Sequence, residues 1–234
     1  LPPGAKILSL EIAPAAVTLH GCFDAVQLLV TAKLANGDTI DVTRLATYAV
    51  AAPSAAVTAA GQVAPLANGK TSVTATLAGK STQAALEVVG YDPNAKVDFI
   101  RDVNPVLAQL GCSAGACHGA KDGKAGFKLS LRGYDPIFDV RSLVDDHAGR
   151  RINFASPDDS LMLLKATGAV PHEGGQRTKF DDKYYRIMRA WIADGAKLDL
   201  SVPRVVRIEV TPLNPVLQVI GSKQQMRIIA TYAD

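Results

Sequence analysis

Between residues 7 and 89, apolar and polar side chains alternate in short runs cut by turn signals. A period of two held over roughly four to eight residues marks half-buried strands and excludes a helical bundle. Residues 7–12 alternate, and residues 25–34 run into Asn36-Gly37, a pair that tolerates positive φ and marks a hairpin. Residues 39–43, 70–77 and 84–89 alternate again, the last two separated by Gly79-Lys80. About seven short strands in some 85 residues predict an all-β sandwich.

The period changes after Tyr91-Asp-Pro-Asn-Ala95, which reads as a linker. Apolar residues at 97, 99, 100, 103, 106, 107 and 110 fit one helix face, with Pro105 expected to kink or split the run. Ser156-Pro157-Asp158-Asp159 reads as a helix start, as does Asp181-Asp182, whose helix passes through Trp191 towards a cap at Gly195. Charge follows the same division. Residues 1–94 hold 5 Lys+Arg and 6 Asp+Glu, and residues 95–200 hold 16 and 14. The formal net charge is only +3, which gives no electrostatic footprint for a nucleic acid. No apolar stretch approaches the roughly 20 residues of a transmembrane helix.

The end of the chain repeats its beginning. Ser9-Leu-Glu-Ile-Ala-Pro14 matches Arg207-Ile-Glu-Val-Thr-Pro212, and Leu28-Leu-Val-Thr-Ala32 matches Ile228-Ile-Ala-Thr-Tyr232. The expected organisation is a β module at 1–91, a mainly helical domain at 92–202, and the truncated start of a second β module at 203–234.

Within the helical part stands Cys112-Ser-Ala-Gly-Ala-Cys117-His118. Two thiols followed directly by an imidazole are what covalent haem attachment needs: each thiol adds to a vinyl group and the histidine reaches the iron from one face. The usual motif has two residues between the cysteines, so the four small ones here must form a bulged loop. Three other readings stay open on these residues alone. They are a Cys112–Cys117 disulfide, half of a zinc site, and a Cys–His catalytic pair. Cys22 is the third cysteine and lies in a turn between strands.

Five motifs in order sharpen the haem reading: residues 99–107, Cys112 to Gly119, residues 126–131, residues 156–163 and residues 190–196. Together these resemble the planctomycete-type cytochrome c domains, and residues 7–89 are similar to bacterial group 2 Ig-like domains. The resemblance implies an Ig-like sandwich, a mainly α cytochrome c-like domain and a partial second β module. It also implies one covalent haem c held by Cys112, Cys117 and His118. Class I cytochromes c place a methionine before a proline ahead of the last helix. Here that position reads Val170-Pro171, and His172 follows as the expected sixth ligand. His147 is the next candidate, while Met162 and Met188 read as helix core. Arg132, Arg150 and Arg151 are expected partners for haem propionates, since guanidinium matches carboxylate geometry.

The resulting expectation is a bis-histidine, low-potential electron carrier, rather than a catalyst, within a larger exported protein. Its location is periplasmic or extracellular, and its partners are a redox protein and other domains of the parent chain. The competing expectations are an open-site haem sensor or peroxidase-like enzyme, and an adhesion or scaffold protein with a structural haem.

Overall fold

The alternating segments form strands: β1 (Ile7–Ala13), β2 (Ala16–His20), β3 (Val26–Gln27), β4 (Leu29–Leu34), β5 (Thr39–Asp41), β6 (Thr47–Val50), β7 (Ala55–Val57), β8 (Gln62–Pro65), β9 (Gly69–Leu77) and β10 (Lys80–Val89). They are seen in a computed structural model that describes residues 1, 4–217 and 220–234. Three sheets result, ordered β1-β4-β5, β2-β10-β9-β6 and β3-β8-β7. The β2–β10 pair is parallel and the other pairs are antiparallel.

Two apolar clusters fill the space between the sheets. Leu10, Val30, Ala32 and Leu34 meet Ala75 of β9, and Leu19, Val73, Leu86 and Val88 meet Val63 of β8. The four-stranded sheet is therefore one layer and the two three-stranded sheets make up the other, a sandwich as the alternation predicts. Thr43 is fully buried and satisfied. Its hydroxyl accepts from the Val30 amide and donates to Asp41, and its carbonyl accepts from the Tyr48 hydroxyl.

The chain divides into two units, residues 1–95 with 205–233, and residues 96–204 with Asp234. In the first unit, β11 (Val205–Thr211) and β12 (Arg227–Tyr232) form a separate two-stranded sheet. Its register copies that of β1 and β4. Leu10 pairs with Ala32 and Ile12 with Val30, as Ile208 pairs with Ala230 and Val210 with Ile228. Each pair carries a register shift near the start of its first strand.

The second unit corrects the expected fold class. The described residues are 30% in strands and 21% in helices. The segment foreseen as a mainly α cytochrome c-like domain is instead a set of short helices joined by long loops. The helices are α1 (Asn104–Gln109), α2 (Pro136–Val144), α3 (Asp146–Gly149), α4 (Leu161–Thr167) and α5 (Lys183–Ala193). The local causes are visible. Pro105 splits the first apolar run into a π-helical turn over Phe99–Val103 and the six-residue α1. Pro157 opens a 3₁₀ turn, but Ser160 is extended, so α4 starts anew at Leu161. The longest helix, α5, has eleven residues and is capped by Asp182, which accepts from the Tyr185 amide at 2.9 Å. Its buried face carries Ile187, Met188, Trp191 and Ile192, and the Trp191 ring meets Phe99 at 5.0 Å between centroids.

Candidate cofactor site around two histidines

After α1 the chain coils on itself. The Cys112 amide donates to the Leu107 carbonyl, continuing the helix by one wide turn. The amide of Cys117 then donates to Ala114, that of His118 to Cys112 and that of Gly119 to Ala114, at 2.9, 3.0 and 3.1 Å. The four-residue spacer is thus closed by its own backbone hydrogen bonds. Gly119 makes this possible: a Cβ there would lie 2.2 Å from the Ser113 carbonyl oxygen, closer than any side chain tolerates. Cys112 and Cys117 are half-buried thiols that form no disulfide with one another. Burial pushes the Cys112 thiol up to about 11, against a favourable pull from Arg177, so it is protonated at neutral pH.

His118 is half-buried, and its Nδ1 lies 3.1 Å from the Phe127 carbonyl oxygen. A carbonyl only accepts, so Nδ1 carries the proton and Nε2 keeps its lone pair. Burial lowers the proton affinity of His118, and the charges of His172 and Arg151 add to that, which favours the neutral ring. His172 repeats the arrangement on another loop, with Nδ1 2.8 Å from the Gly175 carbonyl oxygen. That loop is tied down by Lys165, whose ammonium donates to the Pro171 carbonyl, and by the Arg177 amide, which donates to Ala166. The two imidazole rings lie near one another, with centroids 6.4 Å apart and planes 7° from parallel.

This geometry fits one metal held between two imidazoles. A metal–imidazole bond is about 2 Å and the nitrogen lies about 1 Å from its ring centre, so two opposed ligands set the centroids about 6 Å apart. Metal-bound histidines also donate their other ring N–H to a carbonyl or carboxylate, which fixes the tautomer. Both rings do so. Among the described residues, no three His, Cys, Asp or Glu side chains gather to hold a metal. A Cys–His zinc centre built from Cys112, Cys117 and these histidines is therefore not assembled.

The remaining candidates are placed variously. Arg132 is exposed with φ 56°, its amide bonded to the Ser113 carbonyl of the cysteine loop. Arg150 is exposed, and its backbone closes the turn of His147, which is itself exposed with φ 55°. Arg151 is buried, with its guanidinium already committed to two backbone carbonyls. Met188 is buried in α5 and Met162 half-buried in α4. Sequence reasoning missed Arg177. Its charge acts on Cys112, and its guanidinium lies 3.9 Å from where a Cβ on Gly111 would be and 3.3 Å from one on Gly174. It spans the stretch between the cysteine loop and the His172 loop, and its position five residues after His172 is the signal that was available.

No family model matches the chain, and no curated protein matches it. Among solved structures it is similar to domains 4 and 5 of the S-layer protein SbsC, with a TM-score of 0.27 and 19% identity over 37% of this chain and 54% of that one. Structures of SbsC domains 1–6 and 4–9 match with the same TM-score and identity, over 39% and 40% of this chain and 14% and 17% of theirs. The chain spans about half the length of the first of these and less of the others.

Proposed function

We propose that residues 96–204 bind one covalent haem c and carry electrons. Cys112 and Cys117 would be the attachment thiols, and His118 and His172 would hold the iron. The observation that carries this reading is the imidazole pair, with centroids 6.4 Å apart, planes 7° from parallel, and each Nδ1 held by a carbonyl. The motif resemblance to planctomycete-type cytochrome c domains supports it independently of the geometry.

The bound group would supply one-electron chemistry at its iron. The chain's own residues would do the rest. The Phe127 and Gly175 carbonyls hold the ring protons at Nδ1, which keeps both imidazoles in the ligating tautomer. Burial favours the neutral His118 ring. His118 and His172 together, with no methionine, would favour a lower potential and electron transfer over binding of O₂ or peroxide. Arg177, between the two loops, would be available to a propionate, and Arg132 borders the cysteine loop.

Thiol attachment of haem takes place on the export side of a membrane, so a periplasmic or extracellular location within a larger exported protein belongs to the same proposal. Among the described residues no helix is long and apolar enough to cross a membrane. The proposed partners are a redox protein and neighbouring domains of the parent chain.

The test is expression with a c-type haem maturation system, followed by oxidised and reduced spectra before and after denaturation in alkaline pyridine. Haem retained after denaturation, with low-spin native bands that turn high-spin and open to cyanide in His172→Ala, is the expected result. A high-spin native spectrum transfers the site to the sensor or peroxidase reading. Absence of covalent haem in the matured protein overturns the proposal.

A further inference from the structure

We infer that Arg151 is a positioning residue for His118, acting through the 123–127 turn. The inference rests on His118 being a ligand, and it replaces the propionate role expected for this arginine. Arg151 is 9% exposed, and a buried guanidinium needs acceptors for its donors. It finds them in two separate segments. One terminal nitrogen donates to the Ser142 carbonyl in α2 at 2.7 Å, and the other to the Gly126 carbonyl at 3.0 Å. Its Cζ lies over the Phe127 ring, 4.4 Å from the centroid, and the same ring meets the His118 imidazole, also at 4.4 Å between centroids. The carbonyl that takes the His118 Nδ1 proton belongs to the same Phe127.

The turn itself is wound tightly. Lys124 and Phe127 exchange both backbone hydrogen bonds, and Ala125 and Gly126 have φ of 50° and 72°. A Cβ on Gly123 would fall 2.3 Å from the Phe127 carbonyl oxygen. The Lys124 amide holds the Phe127 carbonyl from inside the turn, and the turn is also gripped from outside. Arg151 is that grip: it fixes the Gly126 carbonyl on one side and the Phe127 ring on the other. The Phe127 carbonyl then has one direction, and so does the imidazole bonded to it. A lysine cannot replace this, because a single ammonium neither spans two carbonyls as a planar fork nor stacks on a ring.

The experiment compares Arg151→Met, Arg151→Lys and Leu143→Ala with the parent protein. Leu143 is buried in α2 next to Ser142 and makes none of these contacts, so its variant reports general loosening of the unit. The first readout is made without haem: solvent exchange of the His118 Nδ1–H by NMR, well below each melting temperature. Both arginine variants are expected to exchange at least about tenfold faster than Leu143→Ala at equal stability loss. The second readout is the low-spin EPR signature of the haem-loaded protein, which should broaden or split in the arginine variants and stay single in Leu143→Ala. Equal exchange in Arg151→Met and Leu143→Ala overturns the inference, and so does full recovery in Arg151→Lys, which would place the effect in charge alone. Where Arg151→Met fails to fold, Arg151→Lys carries the comparison. A parent protein that binds no haem overturns the proposed function, and the haem-free exchange readout still decides whether Arg151 orients His118.

Discussion

In the sandwich of residues 1–95, the side chains that hold the structure repeat every second residue. Ala84, Leu86 and Val88 of β10 are each 3% exposed or less, and their neighbours in sequence face outwards. In residues 96–204, the segments that carry the candidate site show no period. The cysteine loop is closed by carbonyls of its own backbone, the 123–127 turn is gripped by Arg151, and the His172 loop is tied by Lys165 and the Arg177 amide. A core built on alternation spreads its stability over many similar contacts. A loop built on single polar contacts and glycines has no substitutes for any one of them, which is also what a site with fixed ligand directions requires.

The sharpest way to break this contrast is Gly119→Ala. The added Cβ meets a backbone oxygen that cannot move without opening the cysteine loop. A loss of roughly 4 kcal/mol or more is expected, at the far end of point-mutant effects. In calorimetry it should fall on the transition of residues 96–204 and spare that of the sandwich. Leu86→Ala is the converse. It removes a 3% exposed side chain from the sandwich core and should cost about 3 kcal/mol there, with the second unit's transition unmoved. A single shared transition that shifts equally in both variants would show that the two regions do not differ in the way argued.

Smaller effects sharpen it within the second unit. Asp182→Ala removes the cap of α5 and should lower stability by about 1 kcal/mol in denaturant titration. Asp158 gives a pH signature. Hydrogen bonds from Arg189 and then from the Tyr185 hydroxyl hold its carboxyl below the usual range. A depressed folded value means that the contribution is complete above the ordinary carboxylate pKa and disappears as pH falls through the folded one. Arg189→Gln should therefore reduce the melting temperature slightly at pH 7 and flatten its acid limb. Because Asp158 is 42% exposed on its side chain, the effect is modest.

Much of this was legible in the sequence. The Asn36-Gly37 pair separates β4 from β5, with Gly37 at φ 92°. Pro105 splits its helix and Asp182 caps α5, and the His172 ring lies 6.4 Å from that of His118. What the sequence concealed has a common cause. Apolar spacing in 97–110 and 156–165 states which residues are buried, not where a π-helical turn or an extended Ser160 interrupts the helix, so a mainly α domain was expected where short helices and long loops occur. Likewise nothing in Arg150-Arg151 distinguishes the two. One is exposed and the other buried because the Ser142 and Gly126 carbonyls arrive from other segments to receive it.

The smallest effect tests how far local pattern alone reaches. The β1–β4 and β11–β12 pairs share register and register shift, so equivalent residues can be compared directly. Val30 is completely buried, whereas Ile228, its counterpart by strand register although the sequence repeat sets Ile228 against Leu28, is 66% exposed. Both are β-branched residues in the middle of an antiparallel strand, and threonine suits a strand as well as either. Val30→Thr places a hydroxyl in an apolar cluster and should cost about 1–3 kcal/mol. Ile228→Thr changes only an exposed face and should stay within about 0.5 kcal/mol. That outcome, read in paired denaturant titrations of the whole chain, assigns the hairpin geometry to strand pattern and the stability to what covers the strands. A cost at Ile228 approaching that at Val30 would mean that the β11–β12 face is covered in solution, and that the two hairpins share a burial partner as well as a register.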